Sequence, residues 1–453
     1  MNATKDLESK SIGSLLLQLS VPAVIGMLVN ALYSVVDRIF IGRGVGSLAL
    51  SGVAVTFPIT NIIMAVGMLI GIGAASVVSI KLGQRKLEDA EHIVGNALLL
   101  TIILSLIITA LGLIFLHPLL KVLGASPETM PYAKTFATLL LSGAVLQNVG
   151  FGLNPIIRSQ GDAKTAMKTM LIGAILNTIL NPVFIFIFKL GVAGSALATL
   201  ISQAVCSVWV VYYLSSKSII KLKRKYMRLH LNTIAEITSI GVSPFFMQVS
   251  ASFVTIVINT SLVKYGGDLA VGAYSLVSSI AMLILMPAFG VNQGAQPIIG
   301  YNFGAKNAAR VKKALLYSII VNTCITAFGW LMVQLFPVPI IKIFNGEDTE
   351  LIRLASNGLR LYLLAIFTVG AQSACINYFQ SIGKALVSMV LSLLRQVIIL
   401  IPLVLILPHY LALNGIWIAG SISDISAVVI SAAMLVLELR KLKASSLALA
   451  EQG

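Results

Sequence analysis

Residues 15–36, LLLQLSVPAVIGMLVNALYSVV, contain no charged side chain. As a helix rising 1.5 Å per residue they are about 33 Å long, enough to cross the hydrocarbon of a bilayer. Runs of this kind recur to the end of the chain. A water-soluble fold would need many charged faces; here only 11% of residues are charged, against roughly 25% in soluble domains. The predicted fold class is an all-α polytopic membrane protein with twelve transmembrane helices. They are expected at about 14–41, 49–74, 93–116, 132–157, 166–188, 191–215, 236–262, 270–299, 314–336, 354–378, 386–407 and 413–437. Barrel strands are excluded, because they alternate in polarity over about ten residues. The polar start MNATKDLESK and the length of the first run argue against a cleaved signal peptide.

The basic residues orient the chain. With the N-terminus inside, 22 of the 32 Lys and Arg fall on inner segments, 9 on outer ends and one, Arg395, within a span. This asymmetry predicts that both termini are cytoplasmic. The net charge of +16 then reads as anchoring against an anionic inner leaflet. Nucleic-acid binding is not expected, since the charge is scattered over seven short segments.

Other chemistry is sparse. Cys206, Cys324 and Cys375 fall within spans, show no metal spacing and read as small apolar residues. No phosphate-cradling loop, nucleophile triad or metalloprotease motif is present, so neither ATP hydrolysis nor other enzymatic activity is expected, and no cofactor.

The chain repeats itself. Pro22 in SVPAVIGMLVNALYSVVDRIF aligns with Pro244 in VSPFFMQVSASFVTIVINTSL, an offset of 222. Gly73 and Gly83 fall on Gly294 and Gly304, and Gly161 falls on Gly383. Six spans per half keep both halves in one orientation, so the repeats are parallel, about an axis along the membrane normal. The expected domains are an N-terminal six-helix lobe, 1–222, and a C-terminal six-helix lobe, 223–453. Two lobes facing a cleft suit alternating access.

Only Asp37 and Asp424 among the acids lie well inside spans. A carboxylate in hydrocarbon costs several kcal/mol unless paired or protonated, and by default marks an ion or substrate path. Asp37 aligns with Asn259, so the acid belongs to one lobe. Arg38 projects about 100° away from it on a helix and reads as an anchor at the outer interface. Asp424 reads as structurally paired with Arg395. Met64, Met68, Met282 and Met286 lie at helical spacing and read as packing residues.

Several segments together resemble the multidrug and toxic compound extrusion (MATE) family, in its DinF-like branch. They are LYSVVDRIFIGRGVG, GIGAASVVSIKLGQRKLEDA, NPIIRSQGDAKTAM, NTILNPVFIFIFKLGVAGSALAT, GVNQGAQPIIGYNFGAKN and LLRQ…IPLVLILP. The resemblance implies two six-helix bundles in a V and export of cationic drugs against H⁺ or Na⁺. It also implies that Asp37 works with Tyr33, Asn154, Asn177, Asn181 and Thr199. Helix spacing supports part of that set: Tyr33 and Asp37 are i,i+4, as are Asn177 and Asn181. Asn181 and Thr199 lie near the depth of Asp37, whereas Asn154 lies deeper. Asn154-Pro155 and Asn181-Pro182 also suit a simpler role, bonding carbonyls freed at a kink. Pro22 and Pro244 are expected to bend their helices, Pro22 as a conformational element.

One departure matters. Relatives often carry NxxLDP on the fifth helix; here it is NTILNP, with Asn181 in place of a carboxylate. A Na⁺ would take Asp37, Asn177, Asn181 and Thr199 with one charge fewer, and H⁺ is favoured as the coupling ion. The expected function is a multidrug efflux antiporter of the antibiotic-resistance type. It would be a multi-pass monomer in a bacterial or archaeal plasma membrane, with organic cations and lipids as partners. The alternative is a flippase for lipids or lipid-linked glycans, which would want a cationic cavity.

Overall fold

The computed structural model describes residues 2–344 and 348–450, and all regular structure among them is helical. Twelve spans are present among the described residues. In chain order they are α1 (Ile12–Gly44), α2 (Phe57–Gly83), α3 (Leu87–Ile114), α4 (Met130–Ser142 with Ala144–Ser159), α5 (Ala163–Ile187) and α6 (Gly191–Lys217). The second set is α7 (231–266), α8 (268–304), α9 (Ala308–Leu335), α10 (Thr349–Tyr362 with Ile366–Ser381), α11 (Ala385–Leu411) and α12 (Leu413–Arg440). α7 and α8 are joined without a gap, and one continuous helix of their 74 residues would be about 110 Å long. The chain instead folds back at Gly267, whose φ of 68° needs the freedom of glycine. Val254, Ile258 and Leu262 of α7 then share a core with Ala270, Ala273 and Val277 of α8.

The expected span positions hold to a few residues, with one larger difference. The second span begins at Phe57 rather than 49, because Ser47–Val55 is a separate short helix and α2 runs on past Lys81. Gly52 of that short helix lies directly on α4, against Tyr132, Thr129 and Ala133.

The internal repeat is visible in the irregularities of the backbone. Left-handed residues recur in pairs: Gly46 and Gly267, Arg85 and Lys306, Gly161 and Gly383, Lys189 and Ala412. All four pairs keep the offset of about 222 residues found in the sequence. The two bent spans are also equivalent, with α4 breaking by 55° and α10 by 49°. Shared breaks in unlike sequence show that the two six-helix bundles are copies of one topology.

The bundles meet at one end only. A large apolar core at the end that carries the termini draws on both: Leu15 and Leu19 of α1, Ile70 and Val78 of α2, Ile237 of α7, and Ile298 of α8. At the opposite end the cores are separate. Val254, Leu359 and Trp417 belong to a cluster within the second bundle, while Ile59, Leu120 and Leu141, and Ile41, Phe136 and Ala196, form two within the first. The joined end is sealed by glycine. Gly73 and Gly241 bring the backbones of α2 and α7 together, while Gly83 and Gly304 do so for α2 and α8. A Cβ at any of these four would collide with a main-chain carbonyl of the other bundle. Where the joined seam gives way toward the open end, Asn61 of α2 bonds Ser252 of α7 at 3.0 Å.

Candidate functional site

α1 packs along α5, with Gly26 against Met170 and Gly44 against Ile185 and Phe186. α6 lies against α5, where the Cys206 thiol donates to the carbonyl of Thr169 at 3.3 Å. Each of the three helices presents an i,i+4 polar pair to the others: Tyr33 and Asp37 on α1, Asn177 and Asn181 on α5, Ser195 and Thr199 on α6. α1 and α5 run toward the open end and α6 runs away from it. The pairs therefore stack as two layers.

The layer nearer the open end is Asp37, Asn181 and Ser195. One carboxylate oxygen, Oδ1 of Asp37, accepts from the Asn181 amide and from the Ser195 hydroxyl, the latter at 2.7 Å. Asp37 is half-buried, while Asn181 and Ser195 are fully enclosed. The other oxygen, Oδ2, takes no hydrogen bond from the described residues. The inner layer is Tyr33, Asn177 and Thr199. Asn177 donates to Thr199 at 3.0 Å, and Tyr33 belongs to this layer by its i,i+4 spacing from Asp37. The layers are tied by Asn181, which also donates to the Asn177 carbonyl oxygen at 3.3 Å. The Asn181 oxygen itself is buried without a partner. Pro182 follows directly, and the next turn, Val183–Ile187, is π-helical. Such local widening is common at functional sites.

Five of the six residues named from sequence meet here. Asn154 does not. Its amide donates to the carbonyl of Ala166 at 3.0 Å, and its oxygen accepts from Arg158 at 2.7 Å, so it ties α4 to α5 at the joined end. Asn154 thus bonds a main-chain carbonyl, as suits an Asn-Pro step, whereas Asn181 bonds side chains. Ser195 is the residue that sequence reasoning passed over. Its signal was the i,i+4 relation to Thr199, which places it beside whatever Thr199 serves. Arg38 makes no hydrogen bond to Asp37; its guanidinium sits 5.9 Å over the ring of Phe57. Pro22 lies inside α1, within an unbroken helix.

The second bundle carries the other buried acid. Arg395 Nε donates to Asp424 Oδ1 at 2.7 Å, closing an ion pair between α11 and α12. The surrounding wall is aromatic, with Tyr274, Tyr362 and Trp417 edge-on or tilted to one another. The Arg395 carbonyl also accepts from Ser423, and residues 394–399 form the π-helical turn of this bundle.

Twelve spans in two parallel copies, open at one end and with an acid-bearing polar site inside one bundle, define a membrane transporter. The MatE family model matches residues 22–183 and 244–437, one stretch in each bundle, and the chain belongs to this family, the multidrug and toxic compound extrusion transporters. It is similar to multidrug export protein MepA of Staphylococcus saprophyticus, 27% identical over 93% of this chain and 94% of that one. The corresponding protein of Staphylococcus aureus strain MSSA476 is 28% identical at the same coverage. Among solved structures it resembles the outward-facing conformation of a multidrug resistance MATE family transporter of the MOP superfamily. That likeness has a TM-score of 0.92 and 26% identity, covering 98% of this chain and 99% of that one.

Proposed function

We propose that the protein is a multidrug efflux antiporter of the DinF-like branch, exporting amphipathic organic cations in exchange for H⁺. The observation that carries the reading is the setting of Asp37. It is an acid between three spans whose hydrogen-bonding partners are all neutral, so its charge is left for an exogenous cation. A proton can be taken at Oδ2 without breaking either bond to Oδ1. Proton and cationic drug then compete for one carboxylate, which is the minimal logic of exchange.

Na⁺ is the second coupling ion to test. The buried, unpartnered oxygen of Asn181 would join Asp37, Asn177 and Thr199 as an oxygen ligand, but the set has a single negative charge. The multidrug export assigned to the staphylococcal relatives supports drugs as cargo. A monomer in a bacterial or archaeal plasma membrane, with both termini cytoplasmic, fits the basic inner segments. In that orientation the open end faces outward. The lobes would be divided near residue 222, and Pro22 would let α1 bend as Asp37 changes partner. Moving one charge inward releases roughly 2.3 kcal/mol per 100 mV, so the membrane potential favours exchange whenever more charge enters than leaves.

The flippase reading is weaker. A pyrophosphate carrier needs a free cation in its cavity, and Arg395 is already neutralised by Asp424. The deciding experiment is ethidium uptake into proteoliposomes with pH and Na⁺ gradients imposed separately. If neither an inside-acid nor an inside-Na⁺ gradient drives dye uptake, in vesicles where the protein is folded and correctly oriented, the antiport reading falls.

A further inference from the structure

The chain between the two bundles is not a slack tether. Lys223 forms a 2.6 Å bond with Glu91 of α3, and the Tyr226 hydroxyl donates to Glu88 at 2.5 Å. The Tyr226 ring stacks on His92 with centroids 4.0 Å apart, and its main chain rests on Gly95. His230 then donates its amide to the Asn96 side chain at 2.8 Å. Asn96 lies nine residues into α3, about 14 Å along its axis. The segment therefore runs down the flank of α3 for about two and a half turns and does not cap its end. With the joined end on the inner side, as proposed above, that flank would lie where lipid headgroups meet acyl chains.

The basic residues of this strap divide into two sets. Lys223 and Lys225 are spent on Glu91 and Glu88, and both lie against Tyr226. Lys221, Arg224 and Arg228 are exposed, and none of them has an acid within 4 Å among the described residues. Beside them Leu229 is 44% exposed and Leu231 is 84% exposed. Water would disfavour leucines so placed, whereas an interface accepts a row of apolar residues bordered by cations. The clamp on α3 thus fixes which side chains turn outward.

We infer that this strap is a binding surface for anionic phospholipid headgroups, with Lys221, Arg224 and Arg228 meeting the phosphates and Leu229 and Leu231 entering the acyl boundary. This goes beyond the transport reading and does not depend on it. Because the strap is held on α3 and continues as α7, the bound lipid touches the one covalent link between the bundles.

The test uses the purified full-length protein in mixed phosphatidylglycerol and phosphatidylcholine, with retained lipid read by native mass spectrometry. The expected result is selective retention of phosphatidylglycerol, falling about fivefold for each charge removed in the series Lys221→Gln, Arg224→Gln and Arg228→Gln. Leu229→Ser with Leu231→Ser should weaken retention of the same lipid while leaving its selectivity over phosphatidylcholine intact. Equal retention by the triple variant overturns the assignment, as does equal binding of the neutral lipid. Displacement by millimolar inorganic phosphate would show a soluble-anion site and overturn it too. The residues are on the surface, so unchanged thermal unfolding of the variants is expected and keeps the comparison valid.

Discussion

The two bundles solve the problem of a buried acid in opposite ways. Each uses the same helix pair of its repeat, α5 with α6 in the first and α11 with α12 in the second. In the first, Asp37 leans in from α1 and meets only an amide and a hydroxyl. In the second, Asp424 meets a guanidinium supplied by its own bundle. The repeat offset puts Ser421 where Thr199 stands and Trp417 where Ser195 stands, so the second bundle has replaced a small polar wall with an aromatic one. A charge that is already paired gains little from a passing ion. One topology thus yields a site open to exchange and a site closed to it. The difference lies in whether the counter-charge is built in.

The comparison breaks first at Asp37. Asp37→Asn should lower gradient-driven efflux by a hundredfold or more without loss of folded protein; dye efflux from proteoliposomes checks this, and near-normal rates would remove the distinction between the bundles. Next, Asp424→Asn leaves the part-buried Arg395 uncompensated and should cost at most about 3–5 kcal/mol of stability, read by unfolding of the purified protein. Replacing both partners, Arg395→Met with Asp424→Leu, should restore most of that loss, with transport per folded molecule within about twofold of the parent. Loss of transport in the folded double variant would mean that the second site also takes part in exchange.

A smaller effect is expected at the seam that joins the bundles. Gly241→Ala drives a methyl into the Leu69 carbonyl and should cost the closed inner end about 1–3 kcal/mol. Spin-label distances across that end would show a population shift of about tenfold or more toward opening. The mildest change is Ser195→Ala, which removes one of two donors to Asp37. A hydrogen bond to a charged group is worth about 1.5–3 kcal/mol at most, so the apparent affinity for the coupling ion should shift by roughly tenfold. An unchanged pH or Na⁺ profile would show that Asn181 alone sets the carboxylate.

Much of the architecture was legible because hydrocarbon imposes a simple rule: every span must be long and apolar. All twelve were found that way, and the parallel repeat was readable from Pro22, Gly73, Gly161 and their mates. The breaks in α4 and α10 were not, since a bent helix and a straight one have the same hydropathy. The short helix Ser47–Val55 escaped for the same reason. At the site, helix spacing was enough to join Tyr33 with Asp37 and Asn177 with Asn181. It could not show that Asn154 turns to Ala166 and Arg158, because that depends on how α4 bends against α5. Nor did it single out Ser195, a serine among small residues marked only by its i,i+4 relation to Thr199. The pairing of Arg395 with Asp424 could be anticipated, because two isolated charges within neighbouring spans have few alternatives.

The glycines that join α2 to α7 and α8 have a consequence for chemical intervention. At these four contacts main chain lies against main chain, so here the seam parts without side chains that must re-mesh on the return stroke. The same flatness leaves no room for an obstruction even the size of a methyl group. A single cysteine placed beside Gly73 or Gly304 and alkylated only when the seam is open should therefore trap the carrier in mid-cycle. The seam is thus a place to count turnovers one at a time.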